Sequence, residues 1–135
     1  MGRILILENY SPTRHALALT LQRAGWDVDL AQTDHEVLLA LEHAAYDVLL
    51  LEADGPTGDG WRVLTTLQGG QNAIPVVVLV GQEDLRQHRA WALGANVVLS
   101  KPIGREALLA GVQEAIEQVP GNGKLPAHHP PHGVG

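Results

Sequence analysis

The chain has 135 residues, with 9 Lys+Arg against 15 Asp+Glu for a formal charge of −6, and 45% hydrophobic against 18% charged residues. That mixture fits one globular domain and excludes a disordered, highly charged chain. The acidic balance argues against nonspecific binding to nucleic acid, and the absence of cysteine excludes disulfides, thiolate catalysis and Cys-ligated zinc.

Residues 4–7 form a continuous apolar run, the pattern of a strand covered on both faces. Ser11 and Pro12 then read as a cap and a first-turn proline, with Leu17, Leu21 and Ala24 at helical spacing before Gly25 stops the helix. Trp26, Val28 and Leu30 alternate with Asp27 and Asp29, which predicts a half-buried edge strand. Thr33 and Glu36 have capping-box spacing, and Val37, Leu41 and Ala44 continue a second helix.

The alternation repeats. Val48 to Leu51 is a buried strand, Glu52 to Gly60 a loop in which Asp59 and Gly60 shape the approach to a short helix from Trp61 to Leu67. Pro75 opens the most apolar strand, Val76 to Val80. Leu85 to Leu93 is a helix closed by Gly94, Val97 to Leu99 a fifth strand, and Glu106 to Val119 a last helix ended by Pro120. Alternating strands and helices predict an α/β fold of five βα units, a doubly wound, five-stranded parallel sheet, for which the expected form is the flavodoxin-like (βα)5 strand order 2-1-3-4-5. The domain is expected over residues 1–119, followed by a flexible Gly/Pro/His-rich tail at 120–135.

In open parallel sheets, functional groups gather at the carboxyl ends of the strands. That rule selects Glu8 and Asn9 after the first strand, Glu52 and Asp54 after the third, Val80 and Gly81 after the fourth, and Ser100, Lys101 and Pro102 after the fifth. Lys101 is one of only two lysines in the chain, so a compact ammonium converging on these carboxylates reads as part of a site.

The blocks ILILEN with Arg14 beyond it, DVLLLEADGPTGDG, IPVVVLVG and ALGANVVLSKPI, in this order and at this spacing, resemble the receiver domain of two-component response regulators over residues 3–119. The resemblance implies a phosphoryl group taken from a histidine kinase onto an aspartate at the end of strand three, with Mg²⁺ held by an acidic pair after strand one. It also implies departures. The acidic pair falls on Glu8 and Asn9, so one metal ligand is a neutral amide and Mg²⁺ binding is expected to be weak. The phospho-acceptor falls on Glu52, whose extra methylene displaces the nucleophile in a reaction that depends on positioning. The hydroxyl residue that contacts phosphoryl oxygens falls on Val80, and the switch aromatic on Val98; the lysine is kept as Lys101. This is the pattern of a pseudo-receiver, with Glu52 expected to reach towards Lys101 and hold the pocket in one state.

Glu8, Asn9 and Glu52 are accordingly read as polar residues at strand ends rather than a metal site, and no cofactor is expected. Asp54 is expected to contribute a backbone carbonyl and turn its side chain to solvent. Trp91 with Val98, flanked by Arg86 and Arg89 and opposite Glu106, would form an interaction face on helix 4, strand 5 and helix 5. His15, His35, His43 and His88 read as solvated, and His128, His129 and His132 as a poorly organised trio.

The expected function is a noncatalytic signalling module acting through phosphorylation-independent protein contacts: a homodimer, a histidine kinase or an output protein. The competing reading is an active phosphorelay receiver modified on Glu52 or Asp54 with Mg²⁺. A nucleotide or flavin binder is disfavoured because residues 8–13 contain no glycine to cradle a phosphate. With no helix-turn-helix pattern, signal peptide or apolar run of spanning length, the expectation is a cytoplasmic domain that contacts neither nucleic acid nor membrane directly.

Overall fold

A computed structural model describes residues 2–69 and 74–118. The elements alternate in the order β1 (Arg3–Leu7), α1 (Ser11–Arg23), β2 (Asp27–Ala31), α2 (Asp34–His43), β3 (Val48–Glu52), α3 (Asp59–Gln68), β4 (Val76–Val80), α4 (Asp84–Ala92), β5 (Val97–Ser100) and α5 (Arg105–Glu117). All pairings are parallel, and the strand order is β2-β1-β3-β4-β5.

The apolar runs explain why β1, β3 and β4 lie inside. Every residue of β3 and β4 is buried, as are Ile4 to Leu7, because helices cover both faces. Ile4, Ile6, Leu50, Val77 and Leu79 point to the face covered by α1 and α5. Leu5, Leu7, Leu49, Leu51, Val78 and Val80 point to the face covered by α2, α3 and α4. The strand β2 starts one residue later than the alternation suggested and is more exposed. Trp26 is buried just ahead of it, while Leu30 stays 42% exposed.

Local signals set most boundaries. Gly25 and Gly94 end α1 and α4 with φ of 103° and 100°, a conformation that glycine adopts without a Cβ penalty. Thr33 Oγ1 accepts the Glu36 N–H at 3.1 Å, and Glu36 Oε1 accepts from the Gln32 N–H at 2.7 Å, a capping box shifted by one residue on its return arm. Ser11 does not cap α1: it is the first helical residue, and Tyr10 holds the cap position without a side-chain bond.

The helix α3 begins earlier than its apolar spacing indicated. Asp59 and Gly60 are its first turn rather than loop, both buried, directly after Gly58 at φ 75°. Asp59 accepts from the Thr57 hydroxyl at 2.5 Å and from Arg62, which also bonds Asp34 at 2.9 Å. Burial opposes ionisation of Asp59, yet these hydrogen bonds hold its carboxyl below the ordinary aspartate range. The helix α5 is described through Glu117 with Gln118 as its cap; its predicted last residue, the domain limit at 119 and the tail at 120–135 lie outside the described residues.

Candidate functional site

The carboxyl ends of β1, β3 and β5 surround a pocket of about 460 Å³ lined by Glu8, Asn9, Glu52, Asp54, Gly55 and Lys101, with Tyr10, Thr13 and Pro56 completing its wall. Its floor is charged and buried. Glu52 is the last residue of β3, with its side chain 3% exposed, and Lys101 follows β5, with its side chain 38% exposed. The Lys101 ammonium donates to Glu52 Oε2 and lies 3.9 Å from Asp54 Oδ2. Burial pushes the Lys101 ammonium below the ordinary lysine range, opposed by the Glu8 carboxylate.

Lys101 is itself placed by backbone contacts. Its N–H donates to the Val80 carbonyl at 2.9 Å, its carbonyl accepts from Gln82 at 3.0 Å, and the Lys101–Pro102 bond is cis.

On the opposite wall, Glu8 is 4% exposed. Its Oε2 accepts the Tyr10 N–H at 3.2 Å, while Oε1 has no partner among the described residues. The Arg14 guanidinium, also buried, donates to the carbonyls of Glu8 at 2.9 Å and Asn9 at 3.1 Å, which fixes the turn from β1 into α1. Asn9 turns its amide nitrogen to the Gln32 carbonyl at 2.5 Å.

Asp54 corrects the sequence reading. Its side chain does not face solvent: Oδ2 accepts the Gly81 N–H, and Oδ1 pairs with Arg86 at 2.5 Å. Two residues after Glu52 in an extended segment, Asp54 returns towards the same side of the chain, and the backbone N–H beyond β4 meets it there. Arg86 also bonds Glu83 at 2.9 Å, and the carboxylates beside it raise its guanidinium further.

Two arginines of the predicted interaction face also hold partners elsewhere. Arg86 is drawn to the pocket. Arg89 stacks over the Trp61 ring of α3 at 4.2 Å. Trp91 is half-buried, one turn beyond Gln87, which donates to Ser100 Oγ of β5 at 2.6 Å. Val98 is half-buried against the core beneath α4, Val80 is fully buried, and Glu106 is exposed in the first turn of α5. His15, His35, His43 and His88 are exposed; His43 Nδ1 lies 2.9 Å from the Leu39 carbonyl. His128, His129 and His132 lie outside the described residues.

The family model described as "Response regulator receiver domain" matches residues 4–113, which takes in every side chain of this pocket. The chain belongs to the response regulator receiver family. Receivers are signalling modules that work with histidine kinases or output domains. The chain is 29% identical over 119 residues to the transcriptional regulatory protein PcoR of Escherichia coli, covering 87% of this receiver and 53% of that protein. It is 26% identical over 135 residues to the virulence transcriptional regulatory protein PhoP of Salmonella typhimurium, covering 60% of that protein. It thus spans about half the length of the curated relatives it matches. The fold is shared with the chemotaxis response regulator CheY4 of Vibrio cholerae, at a TM-score of 0.77, 24% identity and coverage of 85% of this chain and 98% of that one. It is shared too with the Francisella response regulator 1452 receiver domain, at 0.80, 19% identity and coverage of 87% and 98%. Among the described residues no helix is long and apolar enough to cross a membrane.

Whether this receiver's pocket suits Mg²⁺ can be read from its side chains. Mg²⁺ asks for a near-octahedral shell of hard oxygens. Here Glu52 is held by Lys101, Asp54 by Gly81 and Arg86, and the Asn9 amide nitrogen by Gln32. Glu8 Oε1 is a buried carboxylate oxygen without a partner, and no cluster of three or more His, Cys, Asp or Glu suited to a metal occurs among the described residues. Glu52 and Asp54 are tied to cations and Asn9 is neutral, so the set as placed offers Mg²⁺ few unengaged anionic oxygens.

Proposed function

We propose that this receiver is a pseudo-receiver: a signalling module whose phosphorylation switch is replaced by an internal ion pair, acting through protein contacts that do not await a phosphoryl group. The observation that carries this reading is the Glu52–Lys101 pair, with the acceptor-equivalent carboxylate buried at 3% exposure and already bound to the pocket's cation. Phosphoryl transfer is a matter of positioning, and a carboxylate held this way is not poised for in-line attack. Val80 offers no hydroxyl and Val98 no ring, so the pocket's charge has no differential contact through which to favour a second conformation.

The competing reading, phosphorylation of Glu52 or Asp54 with Mg²⁺, is disfavoured because Asp54 is committed to Gly81 and Arg86. Weak Mg²⁺ binding and the absence of a resident cofactor are part of the proposal. The contact surface we assign is the α4–β5–α5 face, with Trp91, Val98 and Glu106. Its partner is a second copy, a histidine kinase or an output protein in the cytoplasm. The chain acts neither as an enzyme nor by touching nucleic acid or membrane.

The test is intact-mass spectrometry after incubation with acetyl phosphate and Mg²⁺, beside a variant carrying Glu52→Asp, Asn9→Asp and Val80→Thr. The native chain is expected to stay unmodified while the variant gains a phosphoryl group. Phosphorylation of the native chain overturns the reading.

A further inference from the structure

We propose that the cleft between α1 and α5 binds a small molecule with an ammonium group on an apolar body, the ammonium donating to Glu8. The cleft has a volume of about 630 Å³, within the range of small-molecule sites. Its wall is mostly apolar, built from Ala16 and Leu17 of α1 and from Pro102, Ile103 and Leu108 across from them. Glu8 and Lys101 line both this cleft and the charged pocket beside it, so they stand where the two meet.

The chemistry of the ligand follows from Glu8. A carboxylate is acceptor-only, and a buried oxygen of such a group without a donor is costly. Glu8 is 4% exposed and its Oε1 has no partner among the described residues. Lys101 donates to Glu52 and Arg14 to the backbone carbonyls of Glu8 and Asn9, so neither donates to Glu8 Oε1, while Arg105 lies on the cleft wall. A buried carboxylate oxygen without a donor suits an N⁺–H group, whose hydrogen bond is strengthened by charge. The remaining wall covers an aliphatic or aromatic body. The proposal shares the Glu52–Lys101 pair with the pseudo-receiver reading but needs neither an unphosphorylated pocket nor the α4–β5–α5 face.

The experiment titrates the full ¹⁵N-labelled chain with 2-phenylethylamine, 2-phenylethanol and 3-phenylpropionate, following amide shifts. The amine is expected to give saturable shifts at Thr13, Ala16, Ile103 and Gly104. The alcohol should bind about tenfold more weakly, in keeping with a lost charge-assisted bond. The carboxylate should give no saturable shifts. Glu8→Gln should weaken the amine by about tenfold or more. Ala16→Phe, at an exposed position on the wall, should fill the cleft and abolish binding even where Glu8→Gln fails to fold. The proposal is overturned by equal or tighter binding of 3-phenylpropionate, which Lys101 and Arg105 on the same wall would favour. It is overturned too by an absence of saturation, by amine shifts that survive Ala16→Phe, or by MgCl₂ moving the amides around Glu8 while the amine moves none.

Discussion

Glu52 and Lys101 meet across the carboxyl ends of β3 and β5 as an ion pair of unequal depth, the carboxylate 3% exposed and the lysine side chain 38%. The inequality predicts an asymmetric response to mutation. Lys101→Met strands a buried charge and should cost about 2–3 kcal/mol. Glu52→Met leaves a lysine that can turn to water and should cost less than about 1 kcal/mol. The double variant should recover most of the Lys101→Met loss, because two apolar side chains leave nothing unpaired. Urea denaturation of the three variants at neutral pH checks this; equal costs for the two single changes would show that the pair is solvated.

Asp54 ties three elements together, since one carboxylate takes the Gly81 N–H beyond β4 and the Arg86 guanidinium of α4. Asp54→Ala should release both, and amide exchange in the first turns of α4 should quicken while β3 and β4 keep their protection. Arg86→Ala removes the guanidinium alone and leaves the Gly81 bond, so its effect should be smaller and confined to α4. Hydrogen exchange read by mass spectrometry separates the two. Identical profiles would mean that the Gly81 contact carries nothing.

Much of this architecture is legible in the sequence, because the features that set it are local. The short apolar runs at residues 4–7, 48–51 and 76–80, each bounded by polar or turn residues, read as strands buried on both faces, and Gly25, Gly94 and Thr33 punctuate the helices where turn chemistry requires. Less legible is whatever depends on residues far apart in the chain. Asp54 finds Gly81 27 positions away and Arg86 32 away, and Arg89 covers Trp61 of another helix. No periodicity announces such contacts. The start of α3 was obscured for a different reason: Asp59 and Gly60 have loop composition, yet Gly58 in the left-handed region turns the chain and Thr57 and Arg62 satisfy the buried aspartate.

Gly60 should resist even the smallest substitution. A Cβ there would stand 2.4 Å from the Glu52 carbonyl oxygen and 2.9 Å from Ala53 Cα, both backbone atoms that cannot swing aside. Gly60→Ala must therefore push α3 away from the end of β3, at a cost of about 1–3 kcal/mol and with disturbance of Glu52 itself. Gly104, the N-cap of α5, is the control: its φ is −80° and a Cβ would meet nothing within 4 Å, so Gly104→Ala loses only cap preference and should cost less than Gly60→Ala. Thermal melts of the two variants decide the matter, and similar losses would contradict the packing argument.

Tyr46 supplies a prediction about alkaline stability. Its hydroxyl donates to Asp29 Oδ2 at 2.6 Å, tying the approach to β3 to the edge strand β2. Burial first, then that hydrogen bond and the aspartate charge, push the phenol up from 10.0 to about 12. The unfolded chain thus releases this proton earlier than the folded one, and between those values the native state binds more protons. Stability from this group is complete below about pH 10 and is lost as pH rises towards about 12. Tyr46→Phe lacks the ionisation, so the stability gap between native chain and variant should narrow across that window, whatever the other groups contribute. Urea midpoints of both at about pH 9 and about pH 11 measure the gap. An absorbance titration of a Tyr10→Phe variant, which leaves Tyr46 as the sole tyrosine, should place its midpoint near 12. A midpoint near 10 would mean that the Asp29 bond does not persist in solution.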